Sequence, residues 1–215
     1  MSDLRYTLLS DGSSDRALLP ILTWLLGQCG MRGTIIPTWA DLGLLALPPK
    51  GLTARIEVSL QLYPCSLLFV HRDAESVSRE SRVAEIERAA RSLPPAVLAL
   101  PTVAVAPVRM TEAWLLFDEH AIRTAAENPR GRQRIALPPV SRLEREFDPK
   151  ATLHAALRNA SGRRGRRLQQ FSAEASAQSL STLVTDFSPL RALPAFASLE
   201  RYIAAAVTAN GWDSG

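Results

Sequence analysis

The chain is poor in cysteine. Its 215 residues include two cysteines, Cys29 and Cys65. Two are too few for a zinc ligand set, and their apolar surroundings do not suggest a framework of disulfides. We therefore expect two buried thiols in a protein of the reducing cytoplasm.

The chain also lacks a secretion signal and a long apolar run. The first residues show no basic region followed by an apolar core and a small-residue cleavage site. The most apolar stretch, residues 17–26, is interrupted by Pro20. It is roughly half as long as the ~20 residues that a membrane-spanning helix needs. These absences predict a protein that is neither secreted nor bound to a membrane.

Lysine is scarce, so arginine supplies most of the positive charge. Of 25 basic residues, Lys50 and Lys150 are the two lysines, and the formal net charge is +4. The planar arginine side chain donates two hydrogen bonds at once and suits phosphate. A bias in genomic base composition explains the same preference, so the charge alone is weak support for a polyanionic partner. No glycine-rich phosphate loop is present, and nucleotide-driven work would need another protein.

Strand-like and helical patterns alternate through the first 127 residues. The predicted strands are 5–10, 34–38, 66–70 and 103–107, and the predicted helices are 15–29, 52–62, 78–93 and 111–127. This alternation predicts an α/β fold with a parallel sheet flanked by helices, of the Rossmann-like kind. Pro37 predicts an edge position for the second strand, and Thr111 is a plausible cap of the fourth helix.

Beyond residue 127 the pattern becomes mainly helical, over 141–147, 150–159, 173–184 and 195–209. We therefore predict an α/β core over residues 1–127 and a helical extension over 128–215 packed on it. Within the extension, a loop near 158–167 is rich in arginine.

Acidic residues directly follow the first, third and fourth predicted strands: Asp11 and Asp15, Asp73 and Glu75, and Glu112. Parallel strands open their carboxyl ends on one edge of the sheet, where ligands and catalytic groups collect. We expect these carboxylates to meet there. Asp73 and Glu75 are two residues apart, so a continued strand geometry would project both side chains from the same face.

Such a set of carboxylates suits Mg²⁺ or Mn²⁺, which take oxygen ligands. The predicted ligands are Asp11, Asp73, Glu75 and Glu112. Asp11, Asp73 and Glu112 are also predicted to be catalytic, with Asp11 as the candidate general base. Two ions about 3.5–4 Å apart would activate a water and stabilise the leaving oxygen of a phosphodiester. Asp15 and His71 are predicted to support these ligands.

Helix capping accounts for some of these residues without a catalytic or metal-binding role. Acidic residues at loop-to-helix junctions commonly accept backbone N–H groups or favour the positive end of the helix dipole. Asp15 and Glu112 fit that role well, and a histidine beside a strand, such as His71, fits a structural role. The sequence leaves both interpretations open.

The arginine-rich segment predicts a nucleic-acid contact. Its candidate phosphate-binding residues are Arg163, Arg164, Arg166 and Arg167. Together with Arg158 they form a patch in which Gly162 and Gly165 are interleaved, and these glycines favour a mobile loop. A solvated surface loop explains the segment equally well, because the segment has no aromatic residue that would stack on bases except the nearby Phe171.

Several segments resemble a known family. LLSDGSSDRALLPIL resembles the acidic-Gly-x-x-Asp opening of Toprim domains, and LLFVHRDAES resembles their paired-acid strand end. APVRMTEAWLLFD, FDPKATL and LVTDFSPLRALPAFASLERYI extend the resemblance over nearly the whole chain. The longer match is to the Toprim-like family called domain of unknown function 4276, related to the nuclease half of overcoming-lysogenization-defect (OLD) proteins.

The resemblance implies a Mg²⁺-dependent nuclease that cleaves DNA or RNA with an ATPase of the ABC or AAA type, in defence against phage or other foreign DNA. Asp11 stands where Toprim proteins usually have Glu, and Glu75 where they usually have Asp. Each exchange moves a carboxylate by one methylene, which matters because catalytic groups need placement within roughly 0.5 Å.

Two other functions stay open. One is a non-catalytic binding or regulatory subunit that contacts an ATPase or a toxin through the same acidic edge. The other is a phosphoacceptor receiver domain, with Asp11, Asp73 and Thr111 at strand ends but without an evident lysine at a fifth strand end. The oligomeric state is open as well.

Overall fold

The structure, a computed structural model, describes residues 3–74, 77–94, 99–108 and 110–214. Its sheet contains the parallel strands β1 (Leu4–Leu9), β2 (Ile35–Ala40), β3 (Leu67–His71) and β4 (Thr102–Val105), in the order β2-β1-β3-β4. This parallel sheet with flanking helices confirms the predicted α/β fold. Pro37 lies in the edge strand β2, as predicted, where a missing N–H need not cost a ladder hydrogen bond.

The α-helices among the described residues are α1 (Leu18–Gln28), α2 (Leu52–Leu62), α3 (Arg79–Arg91), α4 (Glu119–Ala125), α5 (Pro149–Ala160), α6 (Gly165–Gln169), α7 (Ala173–Leu183) and α8 (Pro194–Ala209). Short 3-10 helices lie at Ser13–Ala17, Leu42–Leu44, Thr111–Leu115, Val140–Arg145 and Ser188–Ala192. The C-terminal part is mainly helical, as predicted. Among these helices, none combines the length and the apolar character that a bilayer crossing requires.

The sheet separates two apolar cores. Leu67 and Phe69 of β3 face the larger core, which contains α1 and the C-terminal helices, while Leu68 and Val70 face a smaller core formed with α2 and α3. Side chains alternate between the faces of a strand. Because every residue of β3 is buried, this strand reads as a continuous apolar run in the sequence.

The segment after β4 differs from the prediction of one helix over 111–127. A 3-10 helix at Thr111–Leu115 is followed by a break and then by α4. Asp118 causes the new start, because its carboxylate accepts a hydrogen bond from the Ala121 N–H at 2.9 Å and caps α4. Met110 is the N-cap of the 3-10 helix, whereas Thr111 Oγ1 is buried and has no hydrogen-bond partner among the described residues. The cap predicted at Thr111 is therefore wrong.

The arginine-rich segment contains a helix, α6, instead of the predicted mobile loop. Gly162 (φ 64°) and Gly165 (φ 54°) have left-handed backbone conformations, which glycine adopts without a steric penalty. These glycines therefore form the turns before α6 and at its start.

Neither cysteine of the chain forms a disulfide. Cys29 and Cys65 are half-buried rather than fully buried. Burial raises the pKa of the Cys29 thiol from 9.0 to about 11 and also raises the pKa of the Cys65 thiol. Both groups therefore stay protonated and unreactive at neutral pH.

Trp114 attaches the 3-10 helix that carries Glu112 to α8, with its ring centroid 5.3 Å from that of Phe196 in an edge-to-face contact. Trp114→Ala should lower the free energy of unfolding by about 3–5 kcal/mol, because it empties a fully buried site. Trp114→Phe should cost less, because it keeps an aromatic ring and removes a buried indole N–H that has no partner in the described structure. Urea unfolding measures both changes.

The matched control is Tyr202→Ala on the same helix α8, where the side chain is 44% exposed. We expect a loss of about 1 kcal/mol or less for this exchange. An equal loss for Trp114→Phe and Trp114→Ala would contradict the account of the buried indole.

Candidate metal centre at the carboxyl edge of the sheet

Two carboxylates and a buried imidazole meet at the carboxyl ends of β1 and β3. Asp15 lies in the 3-10 helix after β1, His71 is the last residue of β3, and Asp73 follows two residues later. One ligand atom from each lies within 4.8 Å of the others. β1 and β3 are parallel neighbours, so the turns that follow them meet at one edge.

The His71 ring is held by a backbone hydrogen bond. Its Nδ1 lies 2.9 Å from the carbonyl oxygen of Val105 on β4. A carbonyl oxygen only accepts, so Nδ1 carries the proton. Nε2 then faces the carboxylates, 3.3 Å from Asp73 Oδ1 and 3.6 Å from Asp15 Oδ1. A backbone acceptor at the far ring nitrogen is how proteins commonly orient a metal-binding histidine.

The charge of His71 depends on whether Nε2 carries a proton or binds a metal ion. Burial lowers the pKa of the imidazole, but the contacts and negative charges of Asp15 and Asp73 outweigh it and raise the pKa from 6.5 to about 10. Without a cation, His71 is therefore an imidazolium at neutral pH. A metal ion at this place would displace the Nε2 proton, because metals bind the neutral ring.

Asp15 combines a capping role with a place in the cluster. Its Oδ2 accepts a hydrogen bond from the Gly12 N–H at 3.0 Å, which fixes the turn after β1. Its Oδ1 remains directed at His71. Burial raises the pKa of Asp15. The contact with His71 and the hydrogen bonds from Gly12 and Ser10 lower this pKa by a larger amount, so the net shift is downward. Asp15 is thus an anion at neutral pH and serves both interpretations made from the sequence.

Asp73 contributes a buried carboxylate oxygen that has no hydrogen-bond partner within the described part of the chain. This oxygen, Oδ1, forms an ion pair with His71 Nε2 at 3.3 Å. The Arg82 Nε–H donates to the backbone oxygen of Asp73 at 2.9 Å and fixes the turn. A buried anionic oxygen without a hydrogen bond is costly. A coordinated cation would satisfy this oxygen, so the residues present fit a metal.

Glu112 lies beside the cluster in a small pocket of about 100 Å³ that Lys150, His154 and Glu174 also line. Burial raises the pKa of Glu112, with a further contribution from the negative charge of Asp73 and an opposing one from Lys150. A raised pKa brings a carboxyl group closer to the range in which it serves as a general acid or base. Glu112 is thus near the predicted ligands, but outside the group of three that converges.

The Asp11 side chain contacts arginines and is not part of the group formed by Asp15, His71 and Asp73. Its carboxylate pairs with Arg55 and lies 2.8 Å from Arg72 Nε. Arg72 in turn pairs with Glu85 of α3 at 3.0 Å. Asp11 therefore lies at the predicted edge, but two arginines neutralise it there. Glu75, the remaining predicted ligand, lies outside the described residues.

The four predicted nucleic-acid-binding arginines lie around α6. Arg163 pairs with Glu127, and its guanidinium lies 5.2 Å from the centre of the Phe171 ring. The other three, Arg164, Arg166 and Arg167, are exposed. Arg163 is thus tied to the protein, whereas the others are presented to solvent.

The structure changes the order of importance among the predicted residues. Asp15 and His71, predicted as supports, converge with Asp73, while Asp11 and Glu112 stand to either side. A signal for His71 was present, since a buried run that extends through residue 71 puts its side chain on the same face as Asp73. Lys150 and His154, which the sequence analysis did not select, are four residues apart on a predicted helix.

No protein family, curated protein or solved structure matches this chain. The resemblance to Toprim-like proteins therefore stays a prediction. The geometry of the residues at the sheet edge is therefore the basis for a function.

The cluster predicts a specific pH dependence of stability in metal-free buffer. The folded-state pKa of His71 lies above its unfolded value of 6.5, so its protonated form stabilises the fold. This contribution is complete below pH 6.5 and should be lost as the pH rises through about 10. The free energy of unfolding, measured against urea with a chelator present, should fall over this range more steeply in wild type than in His71→Gln. Parallel curves for the two proteins would contradict the proposed charge of His71.

Proposed function

We propose that the protein is a divalent-metal-dependent hydrolase that cleaves phosphodiester bonds in DNA or RNA. The observation that carries the proposal is Asp73 Oδ1, which is buried, has no hydrogen-bond partner among the residues that the structure describes, and lies close to Asp15 Oδ1 and His71 Nε2. Carboxylate oxygens suit Mg²⁺ and Mn²⁺, whereas imidazole favours transition metals. Of the two predicted ions, this mixed donor set therefore favours Mn²⁺.

In this proposal, different residues at the carboxyl edge of the sheet bind the metal, transfer the proton and attract the phosphate. Asp15, His71 and Asp73 would hold the ion, which when bound supplies a water of lowered pKa and positive charge for the phosphate oxygens. The Glu112 carboxylate, with its raised pKa, would accept a proton from the attacking water or return one to the leaving oxygen. Lys150, whose charge acts on Glu112, would attract the phosphate to the same pocket.

Asp11 has a positioning role in this proposal. Its ion pairs with Arg55 and Arg72 join the turn after β1 to α2 and to the end of β3. A carboxylate engaged in this way is a poorer ligand, because the metal would have to compete with both guanidinium groups.

The resemblance to the OLD-related family adds the cellular setting of the proposal. The protein would be a cytoplasmic effector subunit of a phage-defence or foreign-DNA-defence system and would work with a separate ATPase of the ABC or AAA type. The unpaired cysteines fit a reducing compartment, and the missing phosphate loop fits a separate ATPase.

One observation favours a second candidate, the non-catalytic binding or regulatory subunit. Because Arg55 and Arg72 neutralise Asp11, the edge carries fewer free carboxylates than the sequence predicts. An edge with one metal and mixed charges would suit a binding surface. The described sheet does not favour the receiver alternative, because its four strands offer no fifth strand end for a lysine.

The decisive variant is Asp73→Asn, which keeps the shape of the side chain and removes its charge. Asn should weaken Mn²⁺ binding more than about 100-fold, since even residues that only support ligands cost 10–100-fold when changed. Titration calorimetry measures the affinity, and cleavage of labelled DNA and RNA measures the activity, which should disappear. Asp11→Asn should retain Mn²⁺ binding to within about tenfold, because the two arginines already occupy its carboxylate.

Asp186→Asn is the matched control, because Asp186 is exposed and lies in a different part of the chain. It should bind Mn²⁺ and cleave as wild type does. Mn²⁺ binding without cleavage of any substrate, alone or with a neighbouring ATPase, would favour the binding subunit. Failure of the wild-type protein to bind a divalent metal would refute the proposed metal centre.

A further inference from the structure

Helix α5 carries a basic face beside the candidate metal centre. Lys150, His154 and Arg158 are spaced four residues apart, so their side chains lie one above the other along the helix. Lys150 and Arg158 are exposed, and His154 is half-buried. With a rise of about 1.5 Å per residue, the face extends over roughly 12 Å.

The two ends of this face meet the two regions that the sequence analysis treated separately. Lys150 and His154 line the pocket that holds Glu112. Arg158 lines another pocket together with Arg163 and Arg164. α5 therefore connects the acidic edge of the sheet to the arginine-rich segment.

The charges on this face are available to a ligand. Neither Lys150 nor Arg158 appears in an ion pair within the described part of the chain. Burial lowers the pKa of His154, and the positive charges of Arg158 and Lys150 lower it further. His154 is thus a neutral hydrogen-bonding group between two cations at neutral pH.

An exposed aromatic ring lies at the start of the same face. Phe147 is 84% exposed and shares a shallow depression with Met110, Lys150 and His154. Proteins that bind single-stranded nucleic acid combine a basic groove with aromatic side chains on which bases stack. A base inside a duplex is already stacked on its neighbours. An exposed aromatic ring therefore stacks more readily with a base of a single strand.

We propose that Phe147, Lys150, His154 and Arg158, here called the α5 track, bind a single nucleic-acid strand that runs between the Glu112 pocket and the arginine-rich segment. Lys150 and Arg158 contact phosphates, His154 forms a hydrogen bond, and one base stacks on Phe147. This inference rests on the proposed function, because the strand is the substrate of that site. It adds the strandedness of the substrate and its path across the protein.

The test measures binding without cleavage. Fluorescence anisotropy in EDTA follows the full-length protein with labelled single strands of DNA and of RNA, about 16 nucleotides long, and with the matching duplex. Lys150→Gln combined with Arg158→Gln should weaken single-strand binding about tenfold. It should also reduce the slope of log affinity against log salt by about 1.4, since each phosphate contact contributes about 0.7 for single strands.

Arg88→Gln combined with Arg91→Gln is the matched control. It removes the same charge from exposed positions on α3, which packs against the other face of the sheet. Affinity and salt slope should both stay closer to wild type than in the α5 double variant. Equal effects of the two double variants would mean that net charge alone attracts the strand, which would overturn the track.

Phe147→Ala tests the stacking separately. It should weaken single-strand binding about tenfold and leave the salt slope unchanged, because stacking releases no counterions. Tyr202→Ala, at a residue 44% exposed on α8, is the aromatic control and should have no effect. Tighter wild-type binding to the duplex than to either single strand, or unchanged binding by Phe147→Ala, would overturn the proposal.

The two proposals can fail separately. If wild type cleaves nucleic acid with Mn²⁺ while the α5 and Phe147 variants bind normally, the α5 track is wrong and the metal centre stands. If wild type shows no Mn²⁺ binding or cleavage but single-strand binding depends on the track, the proposed function is wrong and the binding surface stands. Comparison of the DNA and RNA arms identifies the preferred sugar.

Discussion

The buried imidazole of His71 joins three parts of the carboxyl edge. Its Nδ1–H is bonded to Val105 on β4, and its Nε2 faces Asp15 after β1 and Asp73 after β3. The ends of three strands therefore share one side chain. A charged group inside a protein is tolerated when it is paired, and here the pairing requires the strand ends to be in register. The position of the candidate metal centre follows from this requirement.

The same edge contains a second, more exposed set of charges. Asp11, Arg55, Arg72 and Glu85 form a chain of ion pairs toward α2 and α3. Ion pairs that are partly open to solvent contribute modestly to stability, but these two arginines occupy the carboxylate of Asp11. Asp11 is neutralised by cations, while Asp73 Oδ1 is buried and receives no hydrogen bond from the described residues. Both aspartates were predicted as metal ligands, but the fold places Asp73 in the candidate metal centre and engages Asp11 in ion pairs.

Much of the fold could be predicted because its signals are local. The apolar run before His71 marked β3, Pro37 marked an edge strand, and the span of α2 agreed residue for residue with the predicted helix 52–62. The helix predicted over 111–127 was broken because Asp118 caps a new helix, and α6 was missed because one glycine precedes it and another begins it. Capping and glycine turns change a boundary without changing the apolar periodicity, so the pattern did not reveal them.

The sequence by itself determined the parallel α/β arrangement and the collection of carboxylates at one edge, because hydrophobic periodicity and the direction of parallel strands fix both. It did not determine which carboxylates converge. Asp11 and Asp15 are four residues apart, and the tertiary structure decided that Arg55 and Arg72 take the first and His71 the second. The tertiary structure also decided that α5 lies beside Glu112, which put Lys150 and Phe147 near the site. Such pairings depend on contacts between residues far apart in the chain, and no local pattern encodes them.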